Sequence, residues 1–178
     1  CGHNSAKLTF FNTIDKVKAK INNLDVIRKA LEVISKDEAA RTCTSLIETS
    51  VPDLVVAFQR LCECVYPQIE GAKPLKRNVF QRLDDGNKLW HDLVGKGYDD
   101  WITDVQYAKL RKCFQQRHLL QHQDGIVDQD YISKSGDVSY QVGQHLIIKP
   151  EDITEYAGIV EALGKQVLAL LEEVKVNE

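Results

Sequence analysis

The chain has no methionine, four prolines and ten glycines in 178 residues, and 7% aromatic content. So little glycine and proline excludes a collagen-like or low-complexity chain. No glycine-rich stretch has the form of a phosphate loop, so no nucleotide cofactor is expected. No apolar run approaches the ~20 residues that a membrane-crossing helix needs, so no membrane partner is expected. An excess of one charge is also missing: 23 lysines and arginines stand against 26 acids, for a net charge of −3. A nucleic-acid partner would therefore need a local basic patch. Paired cysteines are missing as well. The five cysteines, Cys1, Cys43, Cys62, Cys64 and Cys113, are odd in number. The opening CGHNSAKLTFF has no apolar core of the kind a secretory signal carries. Reduced thiols and a cytoplasmic location are the expectation. Cys62 and Cys64 lie in an apolar helical pattern and read as small buried hydrophobes.

What is present is a helical protein. Hydrophobic residues make up 43% and charged residues 28%, a balance suited to one domain with a real core. Phe10, Ile14, Val17, Ile21 and Leu24 recur at helical spacing, with a break at Asn22-Asn23. Ser35 followed by Glu38 has the form of a capping box and opens the next helix. The stripe Ile47, Val51, Leu54, Phe58, Leu61, Val65 follows, interrupted by Pro52, which either kinks one helix or starts another. Asn78 with Gln81 predicts a further helix start, and Gly95 and Gly97 its end. Thr103 with Gln106 is another capping box, and Gly125 ends the helix it opens. Over 126–149, Val138, Tyr140 and Val142 alternate with polar residues and predict a small β-like excursion. From Pro150, Ile153, Tyr156, Val160, Leu163, Val167, Leu170 and Val174 form one long stripe, facing either its own bundle or a second chain. The expected fold is all-α, a bundle of five to six helices with that excursion before the last one. Residues 1–7 are expected to be the remnant of an upstream segment, with Cys1-Gly2-His3 as a cut edge, and 8–178 the domain.

Chemistry concentrates in Arg111–Tyr131. Arg117, His118 and His122 stand near the end of the helix that Thr103 opens. His118 and His122 are one turn apart and share a face. Arg117 and His122 are five apart, roughly 140° around an ideal helix, and converge only if the last turn unwinds or a second subunit contributes. Three readings compete. In the first, His122 moves a proton and Arg117 clamps a scissile RNA phosphate, with no metal required. Arg111, Lys112 and Gln121 then serve as substrate-binding neighbours. In the second, His118 and His122 grip zinc with Asp124, Asp128 or His145. In the third, Arg117 pairs with Asp124 or Asp128 and the histidines cap the helix end. Elsewhere, Trp90 and Trp101 read as core or interface, His91 as an exposed neighbour, and Lys73, Lys76, Arg77 and Arg82 as a solvated loop face.

Arg117, four residues, then His122, with polar His118 directly after the arginine, resembles the motif of the HEPN superfamily (higher eukaryotes and prokaryotes nucleotide-binding domains). The run His122-Gln-Asp-Gly125-Ile-Val-Asp128-Gln-Asp-Tyr131 is similar to the stretch that follows the motif in several bacterial members. The likeness covers 103–131; elsewhere only the helical layout agrees. It implies a metal-independent endoribonuclease acting as a homodimer, often a toxin or antiviral-defence effector, with Arg117, His118 and His122 as site residues. Some members are catalytically silent dimerisation or nucleotide-binding modules, which is the alternative the resemblance leaves. The excursion over 126–149 makes the spacing to the last helix longer than in compact members.

Overall fold

A computed structural model describes residues 3–176, with side chains described over 5–172. Among these residues eight α-helices form and no strand does. They are α1 (His3–Asn22), α2 (Leu24–Glu32), α3 (Lys36–Val65), α4 (Leu83–Val94), α5 (Tyr98–Trp101), α6 (Asp104–His122), α7 (Gln129–Ser135) and α8 (Pro150–Val176). The all-α expectation holds. The helix count exceeds the expected five to six because two of the helices, α5 and α7, are short. Residues 3–7 continue into α1 without a break. Cys1, Gly2 and the side chain of Val174 lie outside the described residues.

The 30-residue α3 is the axis of the bundle and packs against α1, α2, α6 and α8. Its start is capped as expected, with the Ser35 hydroxyl accepting from the Glu38 N–H. Pro52 sits inside this one helix and does not begin another. Two residues before it, the Ser50 hydroxyl donates to the Leu46 carbonyl at 2.7 Å. Such side-chain bonds to helix carbonyls accompany bends that a missing N–H allows. The stripe of α8 faces its own bundle: Ile153, Tyr156, Val160, Leu163 and Val167 are buried against α1, α3 and α6. Gly164 makes the close approach possible, since a Cβ there would lie 2.3 Å from the Phe10 ring of α1.

Trp90 is fully buried, and its ring packs against Tyr66, Phe80 and Trp101. Its indole N–H donates to the Tyr98 hydroxyl at 3.1 Å. Trp90 is a core residue, and Trp101 is partly buried and packs against that core. Cys62 is buried in the same cluster, and burial pushes its thiol up to about 12. His91 differs from expectation. It is only half exposed, and its Nε2 lies 2.7 Å from Asp99 Oδ1.

Two local expectations fail. Asn78 does not cap a helix: it is left-handed, with φ 56°, and makes no side-chain cap bond. A single 3-10 turn follows over Val79–Gln81, and α4 begins at Leu83. The excursion over 126–149 forms no hairpin either. One antiparallel bridge, Ile126 to His145, pinches its ends together, and α7 occupies its first half. Val138 is 90% exposed, so its alternation buries nothing. The Tyr140 hydroxyl instead takes the place of a partner strand. It donates to the Ile147 carbonyl at 2.8 Å and accepts from the Ile147 N–H at 3.1 Å.

Candidate functional site

The site grows from α6. Thr103 and Gln106 make the reciprocal cap that starts the helix. Leu110, Cys113, Phe114 and Leu119 bury one face. The other face carries Arg111, His118 and His122, spaced by seven and four residues and therefore aligned along the axis. The helix stays regular to His122 and ends in two left-handed residues, Asp124 (φ 48°) and Gly125 (φ 73°). The Gly125 N–H closes on the Leu119 carbonyl at 3.1 Å.

Arg117, His118 and His122 all line one groove of about 440 Å³. Its second wall comes from Asn78, Gln81 and Arg82 before α4 and from Asp84 and Asp85 within it, and Lys134 of α7 lies at its edge. The last turn of α6 does not unwind, and Arg117 and His122 border the same groove from different sides of the helix. The two imidazole centroids lie 5.0 Å apart. Burial, the neighbouring His122 and Arg117 lower the pKa of His118 below its ordinary value.

Carboxylates occupy most of the cations. Arg82 pairs with Asp85, Arg111 with Asp84 at 3.2 Å, and Lys134 with Asp130 at 2.7 Å. Arg111 also lies over the Tyr107 ring at 5.2 Å. Arg117 is different. Its Nη2 donates to the neutral Gln81 Oε1 at 3.0 Å, no carboxylate pairs with it, and its buried Nε has no partner, as is also true of the Arg111 Nε. Burial lowers the pKa of Arg117 too, but a guanidinium keeps its charge. A half-buried cation with an unmet N–H, facing a groove, is a standing demand for an anion.

The predicted pairing of Arg117 with Asp124 or Asp128 does not form. Asp128 caps α7 by accepting from the Tyr131 N–H at 2.7 Å, and Asp124 sits in the left-handed turn. The zinc alternative lacks its third ligand. Among the described residues the grouping with metal-ligand spacing is His91, Asp99 and Asp100, in the last turn of α4 and in α5, and it excludes His118, His122, Asp124, Asp128 and His145. The atoms of that grouping are engaged: Asp99 takes His91, and Asp100 accepts the Gly97 N–H at 2.8 Å.

Of the expected substrate-binding residues, Arg111 lines the groove and two do not. Lys112 is turned to the other side of α6, where it pairs with the buried Asp137 at 2.8 Å and ties the 126–149 excursion to the helix. Gln121 lines a separate hollow beside α1 and α3. Arg82, expected on a solvated loop face, lines the groove instead. Gln81 and Lys134 were not foreseen. Gln81 has the spacing of a cap partner for Asn78 and carries no other signal, and Lys134 lies in the stretch expected to be β-like.

The fold and site define an all-α bundle with a cation-and-imidazole groove at the end of its sixth helix. No protein-family model matches the chain, and no curated protein and no solved structure matches it.

Proposed function

We propose that this groove binds an RNA phosphate and cleaves the chain beside it without a metal, as a HEPN-type endoribonuclease. The observation that carries the proposal is Arg117, the cation of the groove that has no carboxylate and keeps an unmet N–H, on the same groove as two adjacent imidazoles. The guanidinium holds the non-bridging oxygens and stabilises the charge that grows on them. His118, kept neutral by its surroundings, takes the proton of the 2′-hydroxyl. The 2′-oxygen bonds to phosphorus and the bond to the 5′-oxygen breaks. His122 gives that oxygen its proton. The products carry a 2′,3′-cyclic phosphate and a 5′-hydroxyl, and no oxidant or co-reactant is consumed. The toxin or antiviral-defence setting belongs to the same proposal through the motif resemblance.

Both imidazoles come from one chain, so a second copy is not required to complete the acid–base pair. Homodimer formation, which the resemblance implies, would set two complete grooves together. The open Arg117 also favours a second reading, a silent module that binds a nucleotide phosphate and leaves it intact. The variant His122→Ala separates the two. On the nuclease account it loses cleavage by about 10²–10⁴-fold while keeping its melting temperature. Cleavage at the wild-type rate by that variant removes the assignment.

A further inference from the structure

Three side chains from one short segment, Gln81, Asp84 and Asp85, each hold an arginine of the groove. Asp84 takes Arg111 at 3.2 Å, Asp85 takes Arg82, and Gln81 takes Arg117 at 3.0 Å. The one amide of the three falls on the arginine next to His118. We propose that Gln81 is the positioning residue of the site: it fixes the Arg117 guanidinium against the scissile phosphate through a neutral acceptor, which leaves the whole charge for that phosphate. This rests on the reading of the groove as an RNA-cleaving site and names the residue that sets its phosphate position.

Gln81 is itself firmly placed. It closes the 3-10 turn Val79–Gln81, which Asn78 enters in the left-handed conformation at φ 56°. The Gln81 N–H donates to the Asn78 carbonyl at 3.1 Å, and the Arg82 N–H donates to the Val79 carbonyl at 3.1 Å. Val79 and Phe80 are buried, and the Phe80 ring packs against Tyr66 and Trp90 with centroids 5.7 and 5.8 Å away. Two core side chains peg the turn, so its third side chain is a fixed point from which to hold a long, flexible arginine. Ordering that arginine before substrate arrives removes a loss of freedom from the reacting complex.

The choice of acceptor then decides the charge. A carboxylate at position 81 would hold Arg117 equally well and cancel much of its field. An amide oxygen brings only a dipole. The guanidinium is half-buried, where a net charge acts on a phosphate more strongly than it does in open water. Gln81 uses only an Nη2 hydrogen, and the Nε–H stays unpartnered. Glutamine and glutamate have the same length and shape. The identity of one terminal group at position 81 therefore decides whether the groove presents a free cation or a third ion pair.

The test separates position from charge with two variants of similar size. Gln81→Met removes the acceptor and leaves the charge balance alone. Gln81→Glu keeps an acceptor and adds the carboxylate. Cleavage of single-stranded RNA gives kcat and KM, and fluorescence anisotropy in the His122→Ala chain gives affinity from about 50 to about 200 mM salt. Gln81→Met lowers kcat by roughly ten- to a hundredfold and leaves affinity and salt slope near those of its parent. Gln81→Glu weakens RNA binding by about tenfold and reduces the salt slope by about one. In an Arg117→Gln background most of that tenfold disappears, because the residue acts through Arg117. Both variants keep the parent melting temperature. A lowered melting temperature with an unchanged salt slope marks a purely structural role and overturns the assignment. So does a Gln81→Glu effect that persists in full without Arg117. If the wild type cleaves, Arg117→Gln does not, and both Gln81 variants behave as wild type, the nuclease reading stands and only the role of Gln81 falls. If the wild type binds RNA without cutting it, the catalytic reading falls, and the salt slope of Gln81→Glu still judges its hold on Arg117. If the wild type neither binds nor cuts RNA, both fall.

Discussion

Arg117 is distinguished from its neighbours by what it does not touch. Arg82, Arg111 and Lys134 each face a carboxylate within the fold, and Arg117 faces a neutral amide. Its charge also acts on His118, which it helps hold below the ordinary imidazole range. The sign follows. Burial and neighbouring positive charge disfavour imidazolium, so His118 loses its proton at lower pH than a free imidazole and becomes a competent base there. NMR titration of His118 will give an inflection below that of a model imidazole, and Arg117→Gln will move it upward. The acid limb of the pH–rate profile, read on wild type, will coincide with the lower inflection. An inflection unmoved by Arg117→Gln would mean the two groups do not share a field. The same residues show how far the sequence could be read. Arg117, His118 and His122 stood out because bases and imidazoles are rare together at a helix end. Gln81 did not, because a glutamine three residues after an asparagine is the ordinary mark of a helix cap, and only the tertiary fold turns its amide toward Arg117.

At the scale of elements, periodicity was a good guide wherever a stripe is buried on a long helix, as in α1, α3 and α8. It failed where a local pattern had no partner. Val138, Tyr140 and Val142 alternate, yet no strand lies beside them, so the Tyr140 side chain does the pairing. The run Gly125–Tyr131 has structural work of its own. Gly125 ends α6, Val127 is buried, Asp128 caps α7, and the Tyr131 hydroxyl donates to Asp137 at 2.9 Å. Two glycines of α8 give a paired stability prediction. Gly158→Ala meets open space and gains helix propensity, so it stabilises by up to about 1 kcal/mol. Gly164→Ala gains the same propensity but drives a methyl into Phe10, at a cost of about 1–3 kcal/mol, and the net change is destabilising. Thermal melts of the two variants will move in opposite directions.

The tie between α6 and the excursion is also testable. Burial opposes ionisation of Asp137, but hydrogen bonds from Lys112, Ser139 and Tyr131 outweigh it and hold the carboxyl down at about 2. A folded pKa below the unfolded value adds stability above pH ~4, and that contribution disappears as pH falls through about 2. Asp137→Asn will cost about 2 kcal/mol near neutrality, with the gap to wild type closing in acid. Denaturant melts across pH check this, and a gap independent of pH would contradict it.

For the whole molecule, the bundle brings the last turn of α6, the turn before α4 and the tip of α7 around one groove within a single chain. Nothing in the linear sequence joins Gln81 to Arg117, 36 residues away, so the second wall of the groove was not legible from the helix alone. The complete groove predicts that mixing inactive Arg117→Ala with inactive His122→Ala restores no cleavage. Restored activity in the mixture would show a site shared between copies.

The most direct measurement is digestion of single-stranded RNA by the wild-type chain in excess EDTA, with the fragment ends identified by mass. The account predicts fragments ending in 2′,3′-cyclic phosphate and 5′-hydroxyl at a rate the chelator does not change. Intact RNA, or cleavage that stops when divalent ions are removed, would contradict it.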